Sequence, residues 1–225
     1  MVKLLENTFR AVNIGLANEV AIMCEKLGVN AWEVIDAAGT KPFGFMKFYP
    51  GPGLGGHCIP IDPHYLAWKL KTLDYDAKFI KLAGEINTSM PNHIIKLIIQ
   101  SLNSIKKTIN GCKVLILGVA YKKNINDIRE SPALDIIELL KELNASIDYH
   151  DPHVNQLKLK EESLNSVALN RKRLSKYDIS VIITDHDKVD YDLVLDESNL
   201  ILDTRNVYAK NDTDKIVRLG HKNLK

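Results

Sequence analysis

The sequence predicts two regions of different class: an all-helical region over residues 1–105, then an α/β domain over residues 106–225 with a mainly parallel sheet. Three observations carry this. Apolar residues recur at helical spacing through the first hundred positions, the polar, glycine-containing stretch KKTINGCK (106–113) interrupts them, and beyond it short apolar runs alternate with helical stretches. Continuous apolar runs suit strands buried on both faces, and their alternation with helices implies parallel βαβ units.

From Val2 to Leu27, the positions Leu5, Phe9, Val12, Leu16, Val20, Met23 and Leu27 keep helical spacing, and Gly28 follows where a helix end favours glycine. One long helix is expected. Asn30 with Glu33 three residues on forms a capping-box pattern for AWEVIDAAG. Asp62 and Pro63 read as N-cap and first position of the helix PHYLAWKLKTL, and helical signal resumes near Asp76, with Pro91 marking a kink or a fresh start. After the linker at 106–113, KVLILG reads as a buried strand, Ser131 and Pro132 open the helix ALDIIELLKEL, and ASIDYHD, ISVIITDHD and NLILDTRN supply three more strands.

The chain has 225 residues, 45% hydrophobic and 26% charged, with a formal net charge of +2 and both signs interspersed. A sizeable core is expected, and no nucleic-acid footprint stands out. The one basic cluster, NRKRLSK around Arg171, reads as a solvated helix face or loop. Cys24, Cys58 and Cys112 lack CxxC spacing, which argues against a zinc finger or a disulfide framework and fits a reducing, cytoplasmic setting. No apolar run approaches the roughly 20 residues that span a bilayer, and Lys3, Glu6 and Arg10 break up any signal-peptide core.

The segment PGPGLGGHCIPIDP, Pro50 to Pro63, concentrates the chemistry. Gly51, Gly53 and Gly56 satisfy G-x-G-x-x-G by letter, but a dinucleotide fingerprint needs a buried strand before it and a helix starting within it. Four prolines forbid both here. The strand KVLILGVAY carries Gly118 alone. What the segment offers is unobstructed backbone N–H groups that can cradle phosphate or sugar oxygens, ending on Cys58, a candidate nucleophile. His57, Cys58, Asp62 and His64 are all zinc-ligand types, yet neighbours in extended backbone face opposite ways and Asp62 has capping to do, so no metal is expected.

FYPGPGLGGHCIPIDP resembles the active-site loop of the UDP-sugar 6-dehydrogenases of the UDP-glucose/GDP-mannose dehydrogenase family, in the form of its UDP-N-acetylhexosamine branch. KLLENTFRAVNIGLANEVAI is similar to the start of that family's central helical domain, and LGVAYKKNINDIRESPALDII with ILDTRN to its C-terminal, Rossmann-like UDP-binding domain. The resemblance implies oxidation of the C6 alcohol of a UDP-sugar to a carboxylate with two NAD+, for surface-polysaccharide precursors. Cys58 would hold the intermediate as thiohemiacetal and thioester, with Lys3 and Asn7 stabilising an oxyanion and Asp62 assisting proton transfer. It further implies substrate binding by Tyr49, Gly51, Gly53, Gly55, Gly56, Lys122 and Arg205, a cofactor contact from Arg129, and a homodimer formed through the central domain's long helix.

The family's N-terminal NAD-binding domain is expected to be absent, since the chain starts two residues before Lys3. Two readings follow. In one, the chain is the substrate-side part of an NAD-dependent UDP-sugar dehydrogenase, UDP-N-acetylglucosamine being favoured over UDP-N-acetylmannosamine or UDP-glucose. In the other, it is a UDP-sugar-binding and dimerisation module that catalyses nothing. By itself the chain is expected not to reduce NAD+.

Overall fold

The computed structural model describes residues 1–159, 163–211 and 213–221. Helix α1 (Val2–Leu27) ends as expected on Gly28, whose φ of 74° lets its N–H reach Cys24 O. Its buried face differs from the predicted stripe. Ala11, Gly15, Ala17, Asn18, Ala21 and Cys24 are buried, whereas Leu5, Leu16 and Leu27 are 67%, 53% and 75% exposed. Small residues lie inside because helix α4 (Lys78–Ser104) presses close: a Cβ on Gly15 would sit 3.3 Å from the Ala83 backbone. Pro91 does not begin a new helix, since α4 runs through it unbroken.

Helix α2 (Ala31–Ala38) is capped by Asn30, whose side chain accepts from Trp32 N and donates to Glu33. Trp32 Nε1 and Ala31 N in turn donate to Leu219 O and Gly220 O, tying α2 to the chain's far end. Residues 39–61 form neither helix nor strand, so the first region is less helical than expected. Helix α3 (Asp62–Lys71) corrects the capping assignment. Ile61 is the N-cap, without a side-chain cap, and Asp62 is already in the first turn with its carboxylate turned elsewhere.

Beyond the turn at 105–112 the strands β1 (Lys113–Leu117), β2 (Ser146–His150), β5 (Ile179–Ile182), β6 (Ile201–Asp203) and β7 (Ile216–Arg218) form one sheet in the order β2-β1-β5-β6-β7, every pair parallel. Strands β3 (Gln156–Lys158) and β4 (Ser163–Asn165) make a separate antiparallel hairpin. Helix α5 (Pro132–Glu142) is capped by Ser131, as expected. The basic cluster forms the short helix α6 (Arg171–Leu174), one of the two forms expected of it, where Arg171 pairs with Glu197 at the surface; the short helix α7 (Tyr191–Glu197) was not foreseen, nor were the hairpin and β7.

Alternate residues of β1 enter two cores. Val114 and Ile116 join α5 (Ile136, Leu140) and the second half of α4 (Ile94, Ile98, Leu102), whereas Leu115 and Leu117 pack with Leu174, Val194 and Tyr208. Both sheet faces are covered, which explains the unbroken apolar strand runs. One core also runs from α1 and α4 into the sheet, so the helical region and the α/β domain are joined by packing as well as by the turn. No helix among the described residues is long and apolar enough to cross a membrane.

Candidate functional site

Two buried asparagines anchor the 50–63 segment to the long helices. Asn87 Nδ2 on α4 donates to Ala11 O, Asn18 Nδ2 on α1 donates to Asn87 Oδ1, and Asn18 Oδ1 accepts from Gly51 N at 2.9 Å. These residues were missed from sequence, because an asparagine inside an apolar helix carries no local sign of its distant partner. The Gly51 N–H is therefore occupied by Asn18.

The four glycines of the segment, Gly51 included, are shaped by the α/β domain. A Cβ on Gly51 would lie 2.8 Å from Arg205 Nη1, on Gly53 3.0 Å from Pro132, on Gly55 2.9 Å from Glu130 O, and on Gly56 2.8 Å from the Tyr121 ring. Gly53 and Gly56 also hold φ of +145° and +98°. Much of the glycine content thus serves close approach between protein segments, where the sequence suggested a cradle open to ligand. Gly56 N donates to Arg129 O, fastening the segment just before Cys58.

Four predicted catalytic residues meet. Asn7 Nδ2 on α1 donates to Asp62 Oδ2 at 2.7 Å, and Lys3 Nζ lies 3.3 Å from the same oxygen. The i, i+4 spacing of Lys3 and Asn7 puts both on one helix face, as expected. Asp62 first and the Cys58 side chain second raise the Lys3 pKa, so the ammonium stays charged beside the sulfur. The two partners explain why Asp62 abandons the cap: an ammonium and an amide across the groove compete successfully with its own backbone N–H groups.

Arg129 is exposed and occupied. Its guanidinium clasps Asp127 through Nε and Nη2, and Nη1 donates to His57 Nε2 at 2.9 Å. That pairing with Arg129 holds the Asp127 carboxyl down to about 2. His57 thus pairs with Arg129 and His64 packs on Gly84; among the described residues no group of three His, Cys, Asp or Glu that could hold a metal ion occurs. Tyr49 is held by α2, its hydroxyl donating to Asp36 Oδ1 at 2.6 Å and its ring stacking on Trp32 at 5.3 Å.

Arg205 and Lys122 follow the carboxyl ends of β6 and β1. In open parallel sheets ligands bind at such ends, where the strand order reverses, here between β1 and β5. Arg205 is half-buried, its Nε donating to Ile183 O at 2.7 Å; burial lowers its pKa while Asp185 and Asp203 oppose the shift. Asp203, fully buried, accepts from Arg205 N and Tyr208 N and so shapes the turn carrying the guanidinium. Lys122 is exposed and has no ion-pair or hydrogen-bond partner among the described residues.

Thiol accessibility separates the three cysteines. Cys58 is half-buried, Cys24 and Cys112 are buried, and burial pushes the Cys112 thiol up to about 11. A thiolate two units harder to form is about a hundredfold scarcer at pH 8. One equivalent of iodoacetamide at that pH is expected to modify Cys58 before either buried thiol, as read by peptide mass spectrometry. Labelling of Cys112 first would contradict this.

Comparison with known proteins matches residues 1–89 to the model of the UDP-glucose/GDP-mannose dehydrogenase family, central domain, and residues 115–210 to that of the same family's UDP binding domain. A UDP-N-acetyl-D-mannosamine dehydrogenase of Methanococcus vannielii is 38% identical over 219 residues, covering 94% of this chain and 48% of the relative. An NDP-N-acetyl-D-galactosaminuronic acid dehydrogenase of Ralstonia solanacearum is 34% identical over 215 residues, 93% of this chain and 48% of the relative. The solved UDP-D-ManNAc dehydrogenase of Pyrococcus horikoshii superimposes with a TM-score of 0.86 at 32% identity, over 100% of this chain and 52% of its own. The chain spans about half the length of the curated relatives it matches.

Proposed function

The chain belongs to the UDP-glucose/GDP-mannose dehydrogenase family and carries its central and UDP-binding domains, and on that premise we propose that it is the substrate-side part of an NAD-dependent dehydrogenase oxidising the C6 alcohol of a UDP-N-acetylhexosamine to the carboxylate. The observation that carries the reading is the meeting of Lys3, Asn7 and Asp62 beside Cys58, at the end of a segment packed against Arg205 and the 121–132 stretch. The alternative, a binding and dimerisation module without catalysis, shares the same substrate contacts.

In this reading the nucleotide's diphosphate takes Lys122 and Arg205, whose long cationic side chains suit phosphate oxygens, and the hexose C6 approaches Cys58. NAD+ supplies hydride acceptance, once from the alcohol and once from the cysteine adduct. The described residues carry no complete dinucleotide fingerprint, Gly118 standing alone where three glycines are needed; Arg129, the expected cofactor contact, is exposed and pairs with Asp127 and His57 in this structure. The chain's own part is clear in outline. Cys58 Sγ adds to the C6 aldehyde, and the oxyanion that forms is met by the Lys3 ammonium and the Asn7 amide. In hydrolysis of the C6 thioester, water bonds to C6, Asp62 takes its proton and Cys58 leaves as thiolate.

On the sugar, the loop's wording favoured the gluco epimer; we place the manno epimer first, because the relatives in Methanococcus vannielii and Pyrococcus horikoshii are named for it. A homodimer through α1 is supported by its exposed apolar stripe and by an apolar groove of about 640 Å³ lined by Phe9, Leu16, Val20, Val34, Phe45 and Met46. Isothermal titration with UDP-N-acetylmannosamine, UDP-N-acetylglucosamine, UDP-glucose and UDP tests the reading. Binding is expected, with an N-acetylhexosamine ahead of glucose; absence of binding by all four, UDP included, would refute it.

A further inference from the structure

Lys122 is exposed and, among the described residues, without a hydrogen-bond or ion-pair partner, yet the backbone is tied on both sides of it, at Val119, Ala120 and Tyr121 before and at Asn124 after. Val119 N and Ala120 N donate to Asp151 Oδ2, Thr184 Oγ1 donates to Ala120 O, and Tyr121 N donates to Asp127 O. On the other side Asn124 N donates to His186 Nδ1 at 2.9 Å, at a φ of +61°. A backbone N–H can only donate, so Nδ1 carries no proton and the imidazole proton sits on Nε2, which donates to Asp151 Oδ2 at 3.0 Å. His186 and Asp151 are 0% and 1% exposed. Burial alone would push the Asp151 carboxyl up, but the bonds from His186, Val119 and His153 bring it down to about 2, so it remains a buried anion fixing the imidazole's tautomer.

We propose that His186 is a positioning residue for substrate binding: with Asp151 it clamps the 119–124 segment at both ends, so that Lys122 is presented to the diphosphate of a UDP-sugar. Among the described residues His186 is the one partner of the Asn124 N–H; the other ties at this end are exposed side-chain contacts, Lys123 with Asp185 and Asp187 and the Asn124 amide with Asp187, whereas the bond to His186 is buried on the imidazole side and fixes the backbone itself. The proposal rests on the reading of Lys122 as a diphosphate ligand.

The two ends of the imidazole are separable. Asparagine places its amide oxygen near the position of Nδ1 and keeps an acceptor for Asn124, whereas glutamine places its amide nitrogen near Nε2 and keeps only the donor to Asp151. Titration with UDP is expected to show His186→Gln weakened about tenfold, the size of one lost hydrogen bond, and His186→Asn by less than about threefold. In a Lys122→Ala background His186→Gln is expected to cost nothing further, because it acts through that lysine. Additive losses, or affinities that merely follow the two variants' unfolding midpoints, would overturn the proposal.

Should neither variant fold, nitrogen-15 NMR of the unsubstituted chain reads the same coupling. Adding UDP is expected to shift the Asn124 amide and His186 Nδ1 resonances together, and UDP binding that leaves both unmoved would overturn it. If the unsubstituted chain binds no UDP, the substrate reading falls and this proposal with it. Binding accompanied by additive losses removes this proposal alone.

Discussion

Replacing Gly118 with alanine is expected to be the most damaging single change in the chain. Gly118 follows the last residue of β1, Leu117, at a φ of +80°, and an added Cβ would stand 2.2 Å from Thr184 O, a backbone atom of the neighbouring strand's extension. The left-handed backbone alone costs about 1–2 kcal/mol for a residue with a Cβ. The collision cannot be relieved by a rotamer, so β1 and β5 must part at the place where Val119 and Ala120 meet Asp151. A loss of at least about 4 kcal/mol is expected, among the largest effects of point substitutions. Urea unfolding followed by circular dichroism checks this, and a loss below about 1 kcal/mol would contradict the geometry.

Arg205→Ala is expected to produce the largest loss of UDP-sugar affinity, about a hundredfold or about 2.7 kcal/mol. The guanidinium is held by Ile183 O, lies against Gly51 and is half-buried, so it is ordered before ligand arrives. Lysine is not expected to restore binding, since a single ammonium cannot bond both Ile183 O and a phosphate in the fork geometry. Calorimetry with UDP and a UDP-sugar measures the loss. An Arg205→Ala chain that binds both with unchanged affinity would remove Arg205 from the site.

The long elements were legible because each carried its signal locally. Helical spacing and Gly28 delimit α1, and four apolar runs locate β1, β2, β5 and β6. The three-residue strand β7, the hairpin and the short helices α6 and α7 are too brief to develop a period. Periodicity found the apolar side of α1 but not which side is buried. Leu5 and Leu16 face out because the smaller Ala11, Gly15 and Ala17 let α4 approach more closely.

The candidate site divides in the same way. Lys3 and Asn7 share a helix face by spacing alone, but their partner Asp62 lies 55 residues from Asn7, and its local Asp-Pro context pointed to a cap. The glycines of the 50–63 segment suggested a ligand cradle because nothing nearby in sequence explained them. Their neighbours Tyr121, Pro132 and Arg205 come from the α/β domain, far along the chain from the segment. His186 could have been singled out, since TDHD follows an apolar strand run and strand ends of parallel sheets are where ligands sit.

The central claim, that Cys58 receives C6 of a UDP-N-acetylhexosamine, can be tested without hydride transfer. Mixing the chain with the corresponding UDP-sugar 6-aldehyde, carbon-13 labelled at C6, should convert the carbonyl into a thiohemiacetal by simple addition of the thiol. Carbon-13 NMR is expected to show the thiohemiacetal carbon with the unsubstituted chain and none with Cys58→Ser, while UDP competes it away. A bound nucleotide sugar whose C6 resonance is the same in both proteins would contradict the account.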